Sequence, residues 1–302
     1  MQVMDAIERF NYIPNNLARS LKTKHTKTIG VIIPDVTEIY FTNILRGIED
    51  ELSRVGFNFL LCITEEDVRK ETTYLNYFSQ NHTDGIILAT VAEDSKLLQD
   101  IIGKGKPIVC IDNLPNISIP YDAVINDNIQ SVEIAINYLY KLNHRKIAFI
   151  TGKQTETTGV ERLMGFRKAM VQLGAAINED IIYIGDFTDQ SGYNAMNDLL
   201  GKNSGVTAVC IASAKMTYGA IRAVIESGKY IPGEISIVGF DVHDLTGGLL
   251  HPGITSIIQQ ENNIGKIACQ LLIDKINNPE EHMCRKVLLQ SQLVVKESCK
   301  TI

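Results

Sequence analysis

From Thr28 onward the chain repeats one unit: a short apolar, β-branched run, a loop, and a segment whose apolar residues recur at helical spacing. Ten such runs predict strands at 28–34 (TIGVIIP), 57–63, 85–89 (GIILA), 107–112 (PIVCID), 123–126, 146–151 (KIAFIT), 181–185, 208–212 (AVCIA), 235–240 (ISIVGF) and 254–258. The helical segment at 40–55 is typical of the stretches between them. Phe41, Ile44, Leu45, Ile48, Leu52 and Val55 fall on one face, and Gly56 supplies a left-handed stop. Strands that are apolar on both faces need cover on both faces, so the alternation predicts parallel sheets wrapped by helices. Ten strands exceed one comfortable sheet, and two doubly wound α/β domains are the economical arrangement. The division is expected near 142–146 (LNHRK), where a helix ends and a strand begins. The last helix, 261–277, and the closing strands within 284–298 fit either half.

The segment before Thr28 has a different texture. Val3, Met4, Ile7 and Phe10 form an apolar face on a helix too short to bury it alone, and PNNLARSLK follows, with Asn15 or Asn16 able to cap a second short helix. Residues 1–27 carry a net charge of +3 and the remaining 275 carry −9. An acidic body with a basic leading arm directs any polyanion contact to the arm, although a few surface lysines would read the same way. The six cysteines are never closer than 15 residues apart, which leaves no C-x-x-C pair and favours buried free thiols in a reducing compartment. No window resembles a membrane span, and residues 1–27 lack the apolar core of a secretory signal, so the cytoplasm is the expected location and no membrane the expected partner.

Catalytic signatures are missing. The first strand runs into PDVTEIYF and not into G-x-G-x-x-G, GKQTETTG near Gly152 lacks the lysine–hydroxyl pair of a phosphate loop, and neither G-x-S-x-G nor H-E-x-x-H occurs. The six histidines are scattered. Neither an enzyme, a cofactor nor a metal site is expected.

Five segments, in order, carry a resemblance: NYIPNNLARSLKTKHTKTIGVIIPD from Asn11, ERLMGFRKA at 161–169, GKYIPGEISIVGFD at 228–241, PGITSIIQ at 252–259 and IGKIACQLL at 264–272. Together they resemble the lactose and galactose repressor family of bacterial transcription regulators, over essentially the whole chain from Val3. The resemblance implies two flavodoxin-like parallel-sheet subdomains of the kind seen in type I periplasmic binding proteins, joined by three crossovers near 142–146, 256–260 and 284–289. It assigns 28–143 and 259–286 to the first subdomain, 144–258 and 287–302 to the second, and 1–27 to the remnant of a DNA-binding head and its linker helix. It also implies a homodimer, operator DNA as a partner, and an effector bound in the cleft.

Several cleft residues follow from the matched motifs. Tyr40 and Phe41 match an aromatic pair lining the cleft floor, with helix-face packing the other reading. Asp127 matches an acidic ligand contact, though it also stands where a helix cap would. Arg162, in R-x-x-G-F, matches an arginine that clamps the effector, and its fork of donors suits vicinal hydroxyls, carboxylate or phosphate. Phe187 matches an aromatic that stacks on the ligand, Ser213 stands in the position after the strand 208–212, and Asp241 ends its strand ready to accept two hydroxyl hydrogen bonds. In the linker, Asn16, Ala18, Arg19, Leu21 and Lys22 match a minor-groove hinge in which a leucine wedges between base pairs.

The sequence also departs from the family pattern. Ser213–Ala214 stands where Asn-Asp is usual, and Val242–His243 follows Asp241 where a second Asp or Asn is usual. The chain opens within what resembles the third helix of a helix-turn-helix, so the recognition helix is expected outside these 302 residues. The reading is the dimerising, effector-sensing core of a repressor, its effector a sugar, sugar phosphate or sugar acid in preference to a nucleobase. A sugar-binding receptor of an uptake system is the alternative on the same fold.

Overall fold

The computed structural model describes residues 26–202, 204–244, 248 and 251–302. The hinge residues Asn16, Ala18, Arg19, Leu21 and Lys22 lie outside the described residues. In chain order the first elements are β1 (Thr28–Ile33), α1 (Ile39–Val55), β2 (Asn58–Ile63), α2 (Val68–Tyr77), β3 (Gly85–Leu88), α3 (Lys96–Gly103), β4 (Ile108–Ile111), β5 (Asp122–Asn126) and α4 (Asn128–Lys141). Next come β6 (Ile147–Thr151), α5 (Thr157–Gln172), β7 (Ile182–Ile184), α6 (Asp189–Gly201), β8 (Ala208–Ile211), α7 (Ala214–Glu226), β9 (Ser236–Phe240) and β10 (Thr255–Ile258). The chain closes with α8 (Glu261–Asn277), β11 (Lys286–Leu289) and β12 (Gln292–Val294). All ten expected strands are formed, and with β11 and β12 from the closing segment they sort into two six-stranded sheets, β2-β1-β3-β4-β5-β11 and β7-β6-β8-β9-β10-β12.

Both sheets follow the doubly wound order, with the direction of winding reversing between β1 and β3 and between β6 and β8. Every pairing is parallel except β10 with β12. That exception follows from the arrangement. The carboxyl ends of the two sheets face each other, so a chain that runs straight out of β11 enters the second sheet from its carboxyl end and must lie antiparallel.

Helix packing moves two of the expected boundaries. The amphipathic face of α4 is real, but Val132, Ala135, Ile136 and Leu139 are buried in one core with Phe149 and Phe166 of the second half. The first crossing therefore lies at Asp127, not at 143/144. The expected boundary at 286/287 cuts through β11, all of which pairs with β5 in register; the third crossing lies at 290–291. Helix α8 packs on the first half, its Ile264, Ala268 and Leu272 sharing a core with Ile44 and Ile48 of α1. The two helices meet backbone to backbone, because a Cβ added at Gly47 would fall 2.1 Å from the Asn262 carbonyl oxygen.

The three crossings run side by side. Asp127 N donates to the Leu289 carbonyl at 2.8 Å, the Ser131 and Ser291 hydroxyls meet at 2.8 Å, Gln260 Nε2 donates to the Gln290 carbonyl at 2.8 Å, and Asn126 Nδ2 donates to Gln259 Oε1. Cys110, Cys210 and Cys269 are buried free thiols as expected, whereas Cys284 is exposed. Among the described residues, no helix is long and apolar enough to cross a membrane.

Candidate functional site

Where the carboxyl ends of the two sheets face each other they enclose a cleft of about 130 Å³. This is where open α/β sheets present their loops, and the residues come from the segments after β1, β2, β3, β4, β6, β7, β8, β9 and β10. Six of the seven cleft residues expected from the sequence line it: Tyr40, Phe41, Arg162, Phe187, Ser213 and Asp241. The seventh does not. Asp127 caps α4, its carboxylate accepting from Gln130 N at 2.9 Å, because the first crossing passes through this residue and the helix behind it needs an N-terminal acceptor.

Tyr40 and Phe41 open α1, their rings edge to face with centroids 5.0 Å apart, and both are also buried in the first core, so packing and cleft lining coexist. Arg162, on α5, is 4% exposed. Its Nε donates to Asn128 Oδ1 at 3.0 Å and its Nη1 to the Ala212 carbonyl at 2.5 Å, while the guanidinium lies 4.7 Å from the centre of the Phe240 ring. The fork is thereby fixed by both flanking loops, with Nη2 free of those bonds. Phe187 adopts a left-handed backbone (φ 68°) and lays its ring on Gly152, where an added Cβ would fall 1.9 Å from a ring carbon. Ser213 caps α7, accepting from Met216 N at 3.3 Å.

Asp241 also takes a left-handed backbone, φ 51°. Its two oxygens accept from Gln259 N at 3.0 Å and Gln259 Nε2 at 2.5 Å. Burial, reinforced by the neighbouring Glu261 carboxylate, lifts its carboxyl to about 6, against the opposing pull of Arg162 and Gln259. His243 and Glu261 pair at 2.8 Å beside it, and the Glu261 carboxylate holds the His243 imidazole above its usual range. These three residues bring metal-ligating atoms within 4.8 Å of one another, but their bonds are already made to Gln259 and to each other.

Sequence reasoning missed Asp112. It follows β4 as Asp241 follows β9, the fourth strand of each half, and it too has a left-handed backbone, φ 64°. The Tyr40 hydroxyl donates to it, burial lifts its carboxyl to about 7, Arg162 opposes that rise, and Glu156 and Glu38 add to it. The signal was legible: PIVCID ends in the same way as ISIVGFD.

Contacts between the halves were also missed, because no local pattern encodes them. Lys215 bridges Asp35 and Glu38 across one rim, and Lys153 bridges Glu66 at 2.7 Å and Glu156 at 3.1 Å across the other. Asn113 Oδ1 accepts from Thr158 N at 3.2 Å and Thr158 Oγ1 at 3.0 Å, and Asn113 Nδ2 donates to Glu156 Oε2 at 3.2 Å.

Two doubly wound sheets joined by three crossings, with a buried arginine and two strand-end aspartates lining one cleft at their interface, make a two-lobed small-ligand binding core. The family described as periplasmic binding proteins and sugar binding domain of the LacI family matches residues 26–297, and the chain belongs to it. It is 33% identical over 303 residues to the HTH-type transcriptional repressor PurR of Pasteurella multocida, covering 99% of this chain and 89% of that protein. A structure of the transcriptional regulator CelR in complex with cellobiose superposes with a TM-score of 0.83 at 30% identity, covering 98% of this chain and 89% of the other. A LacI family regulator from Enterococcus faecium with bound ribose gives 0.79 at 28% identity, over 91% of this chain and 99% of the other. These relatives are transcription regulators and not enzymes.

Proposed function

We propose that the protein is a cytoplasmic, homodimeric repressor core that binds a sugar between its halves and thereby sets the affinity of the whole regulator for operator DNA. The observation that carries this reading is the meeting of Tyr40, Phe41, Arg162, Phe187, Ser213 and Asp241 in one cleft. Aromatic faces for sugar C–H groups beside charged hydrogen-bonding groups for hydroxyls are the chemistry such a ligand needs. Cellobiose and ribose in the two related structures support a sugar over a nucleobase. The PurR repressor and the other regulators among the relatives support transcription control over service as an uptake receptor. Dimerisation is supported by an apolar groove of about 450 Å³ beside α7, where Ile225 and Tyr230 are 67% and 72% exposed.

The test is thermal stabilisation by a panel of mono- and disaccharides. A cognate sugar at 100 times its dissociation constant adds about 2.7 kcal/mol to stability. Stabilisation that Phe187→Ala removes supports the reading, and no response to any sugar refutes it.

A further inference from the structure

The charge lining the cleft is lopsided. Among the described residues, Glu38, Glu66, Asp112, Glu156 and Asp241 face it against Arg162 and Lys215, an excess of three negative charges when all are ionised. The rim ion pairs leave that excess in place, because Lys153 brings one further positive charge and Asp35 one further negative charge. An anionic ligand normally finds its seat at a helix N-terminus, where free backbone N–H groups converge. Here the N-cap residues of α1 and α5 are Glu38 and Glu156, whose carboxylates make no capping bond but stand at those helix ends and oppose an anion there, while α7 opens behind Ser213, whose hydroxyl already accepts from Met216 N. Among the described residues of the lining, Arg162 is the buried cation, and its charge already opposes the upward displacement of both strand-end carboxyls, Asp112 and Asp241. Resting on the reading of this cleft as a sugar site, we propose that the effector is a polyhydroxylated cation, an amine-bearing sugar whose ammonium group sits between Asp112 and the acidic rim. Sugar phosphates and sugar acids, which the arginine alone would favour, are then rejected by the surrounding carboxylates. The upward displacement of the Asp112, Asp241, Glu38 and Glu156 carboxyls by burial agrees with a cleft that lacks a positive partner when empty.

The inference is tested by titrating the full chain calorimetrically at pH 7.5 with matched probes that differ only in amine for hydroxyl: glucose and glucosamine, galactose and galactosamine, and cellobiose and chitosan disaccharide, which differ at two positions, with glucuronate and glucosamine 6-phosphate as anionic members. The expected result is that one amine-bearing probe binds at least tenfold more tightly than its hydroxyl counterpart and that both anionic probes fail to bind. Asp112→Asn should remove that tenfold preference, with the melting transition of the unliganded variant confirming that it is folded, and a preference that survives in the folded variant overturns the charge inference. A neutral sugar binding as tightly as its amine, or either anionic probe binding, overturns the charge inference and leaves the sugar site standing. Silence from every probe overturns both.

Discussion

The two halves repeat one another at the cleft and then diverge. Each begins the helix after its first strand behind a glutamate, Glu38 or Glu156, and each follows its fourth strand with an aspartate of left-handed backbone, Asp112 or Asp241. The partners differ. Both oxygens of Asp241 are held by Gln259, a residue of the second crossing, whereas Asp112 is held by the Tyr40 hydroxyl from within its own half. Equivalent positions in one fold therefore take different duties. The aspartate of the second half is bound to a crossing, that of the first is bound within its own half, and both line the cleft.

Removing the group both aspartates share should produce the largest effect. Arg162→Ala removes two buried hydrogen bonds from a charged donor, to Asn128 and the Ala212 carbonyl, together with the positive charge that opposes the rise of both carboxyls, and should cost about 3–5 kcal/mol in urea denaturation at pH 7.5. The cost should shrink towards pH 5, where both carboxyls, at about 7 and about 6, are protonated in the folded state. A loss below about 1 kcal/mol at pH 7.5 would mean that the arginine serves the ligand alone.

The aromatic walls offer the next contrast. Tyr40 and Phe41 are seated on a helix, while Phe187 rests on the bare backbone of Gly152. Gly152→Ala should therefore displace the ring and cost about 1–3 kcal/mol together with sugar affinity, measurable by thermal melting with and without ligand.

The aspartates themselves should part company when neutralised. Asp112 has a folded value near 7 against an ordinary 3.8, so the folded state holds its proton more tightly, and ionisation subtracts stability progressively between about pH 4 and 7. Asp112→Asn should thus raise stability at pH 8 by about 1–2 kcal/mol and change nothing at pH 4. Asp241→Asn should instead lose about 1–2 kcal/mol, because an amide offers one acceptor where Gln259 presents two N–H donors. Equal behaviour of the two variants would erase the distinction between the two positions. The smallest effect belongs to the rims: Lys153→Ala and Lys215→Ala should each cost only about 0.2–1 kcal/mol, since all the groups involved keep some contact with solvent. Urea titration in low and high salt resolves it, the difference vanishing as salt rises.

Much of this was legible in the sequence for a definite reason. Buried parallel strands must be apolar throughout, so all ten runs announced themselves, and the resemblance supplied Arg162 and Asp241 by motif. Partnership was not legible. The face of 128–141 says that Val132 and Leu139 are buried, but not against which sheet, so the first boundary was expected some fifteen residues too late. Asp127 shows a second kind of ambiguity, since a strand, an aspartate and a helix in succession describe a cap and a ligand contact equally well. Lys153 and Lys215 make their ion pairs with residues 87 and 180 positions away, a relation no window can hold.

The side-by-side course of the three crossings limits what the molecule is able to say about its ligand. Chains at 127, 259–260 and 290–291, laced together by hydrogen bonds, let one half bend against the other about the line they share and obstruct twisting or sliding. Whatever the chemistry of the bound molecule, its message leaves the cleft as a single angle. A poorly fitting ligand would then give a fainter signal, never a different one, so the vocabulary of the cleft can be rewritten residue by residue while the grammar of the response stays the same.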